Sequence, residues 1–485
     1  MKFYNLFLSF AIRVAIGNAA TTPTLPAIDS EPVLTYLVYT TGTLENSERV
    51  AVDRFLDGLA VPATMDLLAQ DPYSTSTLYR LDATKSNADE IQADGRILMV
   101  LENGVYAADK PGLEQDQADD DVTPVGRRAA ADDARTVKAA NGILVDTGAP
   151  TANKMLSHPR DLGDVSPADL PGYAYPESAG KGITVYLIDT GANPKHEEWT
   201  GAPGAKRWIY SPDLDAYERK QSDEDGHGAC IQSIINGPRG GVAKGVDLVV
   251  VKLGAVYQVS DFLSALILVA ADIRERNLQG KAVVSASVGG PLLNSTATEH
   301  TGKPVLKDNT EPTVIAYRYF IQEILDLDVP VVFASGNSRP TWDRIDNFPA
   351  WLSREIDCIT VGAVDGAGRR TDYSQGTPEE VTVSAPGAAT CANRRGSRRY
   401  QTTEGTSMAA PHVAGVIATW LADERYRDRL QVPGKVAANV KKMVQEMAYV
   451  RAKDGKPEDA YPVIWNRVDA FSCGNDAGAS CSIDR

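Results

Sequence analysis

Four polar side chains stand where an apolar run ends or a helical pattern begins, and together they could perform nucleophilic catalysis. Asp189 ends the apolar run 183–188, Asn337 follows another, and His227 and Ser407 each open a helical pattern. A serine hydroxyl becomes a good nucleophile when an imidazole accepts its proton and a carboxylate orients that imidazole. The resulting oxyanion needs hydrogen-bond donors, which an asparagine amide can supply. The four residues therefore provide one group for each role.

Each of these residues also has an ordinary structural explanation when it is taken alone. Asp189 could be a turn former or a helix cap, and His227 lies between glycines that could simply form a loop. Asn337 could belong to a turn, and Ser407 could be only a helix N-cap. His412 lies inside the same apolar helix as Ser407 and is expected to be a packed residue. The combination of all four, at strand and helix ends, is what favours catalysis.

The elements that must position these residues alternate along the chain. Apolar, β-branched runs followed by helical patterns indicate a parallel sheet that is covered on both faces, a doubly wound α/β domain. Such sheets carry their sites at the carboxyl ends of the strands. The expected strands are 183–188, 248–253, 282–288, 330–334, 359–364 and 381–384, and the expected helices are 227–236, 260–276, 314–327 and 407–424.

A second, smaller unit precedes this domain. Its pattern predicts a strand-helix-strand-helix-strand order in a small α+β domain, with strands at 35–39, 77–81 and 97–102 and helices at 50–59 and 87–93. The residues that follow are rich in Asp and Ala and include the pair Arg127-Arg128, so they could be a plain solvated linker or one with a processing site. The chain is therefore predicted to have four parts. They are a signal peptide (1–19), the α+β domain (20–107), an acidic linker (108–157), and the α/β domain with its C-terminal tail (158–485).

Composition narrows the class of protein. A chain of 485 residues with 43% hydrophobic residues is long enough for two or three folding units. The net charge of −15 argues against nucleic acid as a partner, because binding phosphates requires clustered Lys and Arg. Beyond the N-terminus no apolar run reaches the length of about 18 residues that a membrane span needs. Residues 1–19 have a positive start, an apolar stretch and small residues before position 20, which is typical of a secretory signal peptide.

Secretion makes disulfides and glycosylation possible. Spacing suggests that Cys473 and Cys481 close a small loop, and that Cys358 and Cys391 could be a second pair, but connectivity cannot be deduced from spacing. An odd count of five cysteines leaves at least one thiol unpaired in a monomer. Asn294 begins an Asn-Ser-Thr sequon and is a candidate for glycosylation.

The motifs around these residues resemble those of the subtilisin-like serine proteases, the subtilases. The similarity covers about residues 158–425, and residues 34–107 are similar to the subtilase propeptide. The order Asp, His, Ser along the chain is also that of the subtilases. The matching segments are Val185–Gly191 with the aspartate, Asp225–Gly228 with the histidine, Ser287–Pro291, Ala334–Asn337 and Gly405–Gly415 with the serine.

The resemblance implies a role for each residue. Ser407 would be the nucleophile, His227 the general base and then acid, and Asp189 the residue that orients His227. The Asn337 side chain and the Ser407 backbone N–H would form the oxyanion hole. The remaining predicted site residues would bind an extended substrate and line an open, apolar-tolerant pocket of broad specificity; they are Ser287, Val288, Gly289, Ala334, Ser335 and Gly336.

The resemblance also implies how such an enzyme is produced and which partners it binds. We expect a secreted zymogen whose propeptide is an intramolecular inhibitor, with a mature start near residue 158 and Arg127-Arg128 as a possible earlier cut. Its partners would be protein or peptide substrates, and the enzyme would be a monomer. No cofactor is required for this chemistry. Structural calcium occurs in the family, but its site stays unassigned because Thr382 stands where members often have Asp.

Two departures from the family pattern keep alternatives open. Ala229 stands where the family usually has Thr. Cys230 follows it, one helical turn from His227, and its thiol could be buried and inert or could make the enzyme sensitive to mercurials. The second hypothesis is therefore a catalytically impaired homologue that acts as a binding protein. A third, a serine esterase, would need a G-x-S-x-G elbow and the order Ser, Asp, His, and the sequence has neither.

Overall fold

The computed structural model describes most of the chain. The described residues are 31–42, 44–73, 77–107, 135–162, 165–212, 214–291, 293–298, 304–306, 311–452, 460–473 and 481–484. The predicted signal peptide, the pair Arg127-Arg128 and the side chain of Asn294 lie outside them. Among the described helices none has the length and apolar character needed to cross a membrane.

Strands and helices are numbered in chain order. The strands are β1 (Val33–Thr40), β2 (Asp66–Gln70), β3 (Thr77–Thr84), β4 (Ile97–Glu102), β5 (Val105–Ala107), β6 (Thr136–Lys138), β7 (Ile143–Asp146), β8 (Tyr173–Pro176), β9 (Thr184–Asp189), β10 (Lys206–Tyr210), β11 (Asp247–Lys252), β12 (Val256–Gln258), β13 (Ala282–Ala286), β14 (Gly290–Pro291), β15 (Leu293–Thr298), β16 (Pro304–Leu306), β17 (Val331–Ala334), β18 (Asn347–Phe348), β19 (Ile359–Val364), β20 (Val383–Pro386), β21 (Ala388–Ala392), β22 (Tyr400–Glu404), β23 (Tyr449–Val450), β24 (Pro462–Val463), β25 (Phe471–Cys473) and β26 (Cys481–Ile483). The α-helices are α1 (Asn46–Leu59), α2 (Lys85–Gln92), α3 (Thr151–Leu156), α4 (Glu197–Thr200), α5 (His227–Asn236), α6 (Val259–Arg276), α7 (Pro312–Asp326), α8 (Thr406–Leu421), α9 (Arg427–Leu430) and α10 (Val436–Met447).

The small N-terminal unit is an antiparallel sheet covered by two helices. Its strand order is β2-β3-β1-β4, and α1 and α2 pack on one face around buried residues such as Val52, Leu56 and Ile91. The sequence pattern predicted every element except β2. That strand has neither β-branched residues nor strict alternation, so only its pairing with β3 makes it a strand.

A nine-stranded sheet forms the centre of the large domain, in the order β10-β11-β9-β13-β17-β19-β20-β24-β23. Strands from β10 to β24 pair in parallel, and β23 is antiparallel at the edge. Alternate residues of β9 point to opposite faces: Tyr186 and Ile188 pack with α6 and α7, whereas Val185 and Leu187 pack with α5 and α8. The predicted doubly wound, mostly parallel α/β fold is confirmed.

The predicted linker 108–157 is too long at its C-terminal end. Strands β6, β7 and β8 form an antiparallel sheet, and α3 follows β7. Val145 and Leu156 are fully buried within clusters that also contain residues of the large domain. A boundary at residue 158 is therefore wrong, because the residues from about 135 onward fold with the large domain.

The sheet of the small domain lies on α6 and α7 of the large domain. Tyr39 of β1 makes edge contacts with Tyr319 and Phe320, with ring centroids 5.8 and 4.6 Å apart. Arg274 of α6 forms an ion pair with the buried carboxylate of Asp71. The two domains thus share an interface with an aromatic centre and a buried ion pair.

Two disulfides join parts of the described structure. Cys473 and Cys481 form a small loop as expected, and Cys230 is bonded to Cys391. The suggested pair of Cys358 with Cys391 is wrong, because α5 packs against β21 and brings Cys230 there instead. Cys358 is a free thiol, fully buried in the cluster around α6 and α7.

Candidate active site

The predicted catalytic residues lie at the ends of neighbouring elements. Asp189 is the last residue of β9, His227 is the first of α5, and Ser407 lies in the first turn of α8. Helices α5 and α8 pack against each other on one face of the sheet. Gly226 precedes α5 with a φ of 99°, a left-handed conformation that favours glycine and lets the chain turn into the helix at His227.

Asp189 and His227 form a hydrogen-bonded pair. The Nδ1 atom of His227 is 2.8 Å from Oδ1 of the fully buried Asp189, and the same oxygen accepts the backbone N–H of Thr190 at 2.7 Å. With its proton on Nδ1, the imidazole has Nε2 left as a proton acceptor. Burial lowers the pKa of His227, but the charge and hydrogen bond of Asp189 outweigh it, so that the net pKa lies above the ordinary 6.5.

Ser407 is buried and rests against the segment that follows β13. Its hydroxyl donates to the carbonyl oxygen of Ser287 at 3.5 Å, and the Ser287 hydroxyl donates to the carbonyl oxygen of Ser407 at 2.9 Å. A hydrogen bond between Ser407 Oγ and His227 Nε2 is not formed in this structure. Hydrogen bonds between catalytic groups are commonly long before substrate binds and shorten in the complex, so the arrangement remains compatible with proton transfer.

Asn337 is held in one orientation by Thr406. Its Oδ1 accepts the backbone N–H of Thr406 at 2.8 Å and the Thr406 hydroxyl at 3.0 Å. These bonds fix which end of the amide is the oxygen, so its Nδ2 donor is directed away from Thr406. Ser407 lies in the first turn of α8, where backbone N–H groups and the helix dipole also favour negative charge. An oxyanion formed at Ser407 would thus meet preorganised donors.

Sequence reasoning missed Asp223, a buried carboxylate beside the Asp189–His227 pair. It accepts the Thr190 hydroxyl at 3.0 Å and the backbone N–H groups of Gly226 and Ala229 at 2.9 and 2.7 Å. Burial raises its pKa, while these donors oppose that effect. Asp223 thereby caps the first turn of α5, four residues before His227, and the spacing of an acid just before a helix start could have indicated it.

The same bond explains how the site accommodates Ala229. The contact between residue 229 and Asp223 is made by the backbone N–H and requires no side-chain hydroxyl. Cys230 is not a thiol, because it is bonded to Cys391 of β21. The Ser233 hydroxyl donates to the Ala229 carbonyl at 2.9 Å and accepts the Ala392 N–H at 3.0 Å, so α5 is fastened to the hairpin β21–β22 that leads to Ser407.

The predicted substrate-binding residues lie in two segments at the carboxyl edge of the sheet. Ser287, Val288 and Gly289 follow β13, and Ala334 ends β17 before Ser335 and Gly336. Gly336 has a φ of 111°, a conformation that a side chain would strain. All six residues are buried or nearly so.

The other histidines in this region have structural roles. His412 is buried and its Nδ1 bonds to the carbonyl oxygen of Met408 at 2.7 Å; burial lowers its pKa to about 4. His196 caps α4 and bonds to the carbonyl oxygen of Arg399. Within the described ranges no group of three or more His, Cys, Asp or Glu side chains could hold a metal ion, so the structure assigns no calcium site.

Comparisons with known proteins find a family model, several relatives and a solved structure that are similar to this chain. The model of the subtilase family, Peptidase_S8, matches residues 180–452. Subtilisin-like protease 3 of Pseudogymnoascus destructans is 29% identical over 67% of this chain and 71% of its own. Alkaline serine exoprotease A of Vibrio alginolyticus is 30% identical over 62% of this chain, and the cuticle-degrading serine protease of Arthrobotrys oligospora is 28% identical over 57%. The aligned parts are 48% and 63% of those two relatives. Among solved structures, a cold adapted subtilisin-like serine proteinase matches with a TM-score of 0.48 at 26% identity, covering 66% of this chain and all of that one.

Proposed function

The chain belongs to the subtilase family of serine endopeptidases, and we propose that it is a secreted enzyme, made as a zymogen, that cleaves peptide bonds through an acyl-enzyme formed on Ser407. The observation that carries this proposal is the hydrogen bond between His227 Nδ1 and the buried Asp189. An imidazole oriented by a carboxylate is the group that a serine nucleophile requires.

The chemistry would proceed in two steps. His227 Nε2 accepts the proton of Ser407 Oγ as that oxygen attacks the carbonyl carbon, and the protonated imidazole then donates it to the leaving amine. A water molecule, deprotonated by the same nitrogen, releases the acid product from Ser407. In both steps the Asn337 amide and the Ser407 backbone N–H stabilise the oxyanion, a contribution of typically several kcal/mol in enzymes of this kind. Peptidases of this type need no cofactor for the reaction.

Substrate would bind as an added strand along Ser287–Gly289. The placement of β5 supports this mode, since its backbone pairs antiparallel with β12 and lies against β14, which directly follows Gly289. We infer that an extended peptide would take the position of the chain's own segment 105–107. Main-chain pairing of this type gives affinity with little demand on sequence.

The small domain would be an intramolecular inhibitor. Three kinds of contact support this role: the aromatic cluster of Tyr39 with α7, the ion pair of Asp71 with Arg274, and the hydrogen bonds of Asn103 with Gln258 and Ser260. The last contact lies beside β5 and leads directly to the proposed substrate-binding edge. Secretion is supported by the two disulfides, which persist in oxidising compartments.

The test compares the native chain with Ser407→Ala and Ser397→Ala, expressed in full through a secretory host. Ser397 lies in the turn of the hairpin β21–β22 and is the matched control. We expect the native and Ser397→Ala chains to lose the N-terminal domain, to cleave casein and to react with a fluorophosphonate. Ser407→Ala should not remove its own N-terminal domain. Its activity should be at least about 10⁴-fold lower than that of the native chain.

The binding-protein hypothesis predicts a different result. All three chains would then be folded, unlabelled by the fluorophosphonate and inactive. That outcome would exclude the proposed enzyme and leave the cleft as a binding surface.

A further inference from the structure

Residues 393–399, between β21 and β22, form an arginine turn that the proposed chemistry does not use. Its four arginines are all exposed; they are Arg394, Arg395, Arg398 and Arg399. Arg395 forms an ion pair with Glu224 at 2.6 Å, whereas Arg394 and Arg398 have no carboxylate partner among the described residues. Like charges this close repel one another, so an anion that binds to the turn would stabilise it.

The backbone of the arginine turn is held from the protein side. Nδ2 of the buried Asn193 lies within 2.9 Å of three carbonyl oxygens of the turn. The Arg395 N–H donates to the carbonyl oxygen of Asp223 at 2.6 Å. The arginines therefore project from a fixed frame, which lowers the entropic cost of binding a partner.

The arginine turn lies beside the start of the histidine helix α5. A Cβ atom on Gly226 would lie 3.2 Å from Cβ of Arg394, and Gly226 directly precedes His227. Gln401, which lies just after the turn, donates to the carbonyl oxygen of Gly226 at 3.0 Å. A peptide bound on the turn would therefore lie next to the proposed general base.

The linker 108–134 leaves the described structure at the proposed substrate-binding edge and re-enters it beside β22. Ala107, the residue before it, belongs to β5 at that edge. Arg135, the residue after it, donates from Nη2 to the carbonyl oxygen of Arg239 at 3.4 Å, and the Arg239 guanidinium lies 5.4 Å from the centre of the Tyr400 ring. Tyr400 directly follows the arginine turn. Fully extended, a linker of this length spans roughly 90 Å, which is ample to reach the turn.

Part of that linker has the complementary charge. Residues 114–121 contain five carboxylates and no Lys or Arg. An arginine guanidinium binds a carboxylate through two parallel hydrogen bonds in a fixed geometry. A flexible tether holds such a partner at an effective concentration of about millimolar, so that even a weak ionic contact is populated.

We propose that the arginine turn is a docking site for acidic peptide, and that the chain's own acidic run, 114–121, binds there before the linker is cut. This contact attaches the linker to the large domain at a second place, beside His227 and apart from the interface around Tyr39 and Asp71. Release of the run after cleavage frees the turn, a step that rests on the proposed function.

The first test compares two full-length chains that both carry Ser407→Ala. In one the acidic run is native, and in the other it is neutralised by Glu114→Gln, Asp116→Asn, Asp119→Asn, Asp120→Asn and Asp121→Gln. Glutamine is used at position 121 because Asp121→Asn would create a glycosylation sequon. The rate of reaction with phenylglyoxal, which modifies accessible arginines, is followed at Arg394 and Arg398 by peptide mass.

We expect both arginines to react about 2- to 10-fold more slowly in the chain with the native run, and the difference to disappear at about 1 M salt. Arg54 is the internal control, because it is exposed on α1 of the N-terminal domain and should react equally in both chains. Equal rates at Arg394 and Arg398 in the two chains at low salt would overturn the proposal. This comparison does not depend on catalysis.

The second test uses the mature enzyme and a synthetic peptide of residues 112–123. The peptide should inhibit cleavage of a neutral peptide anilide, and Arg394→Ala/Arg398→Ala should raise the inhibition constant about 3- to 10-fold. Arg427→Ala/Arg429→Ala is the matched control, because it removes the same charge from surface ion pairs of the large domain. It should leave the inhibition constant unchanged.

An inhibition constant that is equal in the native enzyme and in Arg394→Ala/Arg398→Ala would also contradict the docking site. Failure of the proposed function is distinguishable from this result, because the chain would then cleave no anilide and take up no fluorophosphonate. The phenylglyoxal comparison would still decide whether the acidic run binds to the arginine turn.

Discussion

The imidazole of His227 lies among three carboxylates. Burial acts to lower its pKa, but Asp189, Asp223 and Asp225 all raise it, and the net pKa is above 6.5. His227 is the proposed general base and must be neutral to accept a proton, so activity should fall as the pH drops through this pKa. The acid limb of kcat/KM is therefore expected above pH 6.5.

Substitution of Asp223 tests this electrostatic account. Asp223→Asn keeps an oxygen that can accept backbone N–H bonds but removes a negative charge near His227, so the pKa of His227 should fall and the acid limb should move to lower pH. The measurement is kcat/KM against pH for a neutral peptide anilide. Glu224→Gln is the control, since Glu224 is exposed and pairs with Arg395 on the surface. An acid limb that stays in place, or moves upward, would contradict the assigned role.

The proposed catalytic residues could be singled out from the sequence because their local motifs are specific. Asp189, His227 and Ser407 each stand in a short pattern at an element end, and the structure places them at the edge of one sheet. Thr406 could not be assigned a role in the same way, because its contact with Asn337 arises only when two segments 69 residues apart meet.

The hairpin β21–β22 connects the histidine helix to the serine helix. It is bonded to α5 by the disulfide Cys230–Cys391 and by Ser233, and Gln401 donates to the Gly226 carbonyl oxygen at 3.0 Å. Its C-terminal end leads through Gly405 into α8. These contacts hold the start of α5 and the start of α8 on one small element, so that His227 and Ser407 have a common support. The two cysteines are 161 residues apart, which is why spacing alone did not give this pairing.

Thiol chemistry should reflect this pairing. Cys358 is the one cysteine without a disulfide, and burial raises the pKa of its thiol to about 12. We expect a disulfide-exchange reagent such as DTNB to label no thiol in the native enzyme, because the reagent reacts with accessible thiolates. Activity should likewise resist mercurials.

Denaturation provides the control for that measurement. Without a reductant one thiol should appear, and after reduction all five cysteines of the chain should react. Rapid labelling of the native protein with loss of activity, and with Cys230 as the labelled residue, would contradict the Cys230–Cys391 pairing.

Across the whole molecule, the domain interface should set how strongly the N-terminal domain inhibits. Asp71 is 2% exposed and pairs across the interface with Arg274, which also pairs with Glu323 of α7 at 3.3 Å, so that loss of Asp71 removes the cross-domain part of this charge network. Asp71→Ala should therefore weaken inhibition by the N-terminal domain about 10- to 100-fold. The measurement is the proteolytic activity of the freshly cleaved complex at increasing dilution, because a weakly bound N-terminal domain dissociates at a higher concentration.

Asp66→Ala is the matched control, because its exposed pair with Arg80 lies within the N-terminal domain. It should leave the dilution curve unchanged. Equal inhibition by native and Asp71→Ala chains would show that the ion pair does not contribute to the interface.

The packing of β6, β7 and α3 limits where the mature enzyme can begin. Ile143, Val145 and Leu156 are buried, and Asp146 accepts hydrogen bonds from Arg135 at 2.6 Å and pairs with Lys244 of the large domain at 3.3 Å. Loss of each such apolar side chain costs about 1.5–3 kcal/mol of burial, and Lys244 would lose its partner. A chain that starts at residue 158 should therefore unfold at a markedly lower temperature than one that starts before residue 135.

Cleavage is consequently expected within 108–134, between the end of β5 and the start of the packed segment. The mass and N-terminal sequence of the secreted, active enzyme would locate the cut. If Arg127→Ala/Arg128→Ala moves the new N-terminus but leaves activity intact, a host protease trims the chain at that pair. If the N-terminus is unchanged by this substitution, the enzyme makes the cut itself, and Ser407→Ala should then abolish it. A stable mature enzyme that begins at or beyond residue 158 would mean that the packed segment is dispensable, contrary to its burial.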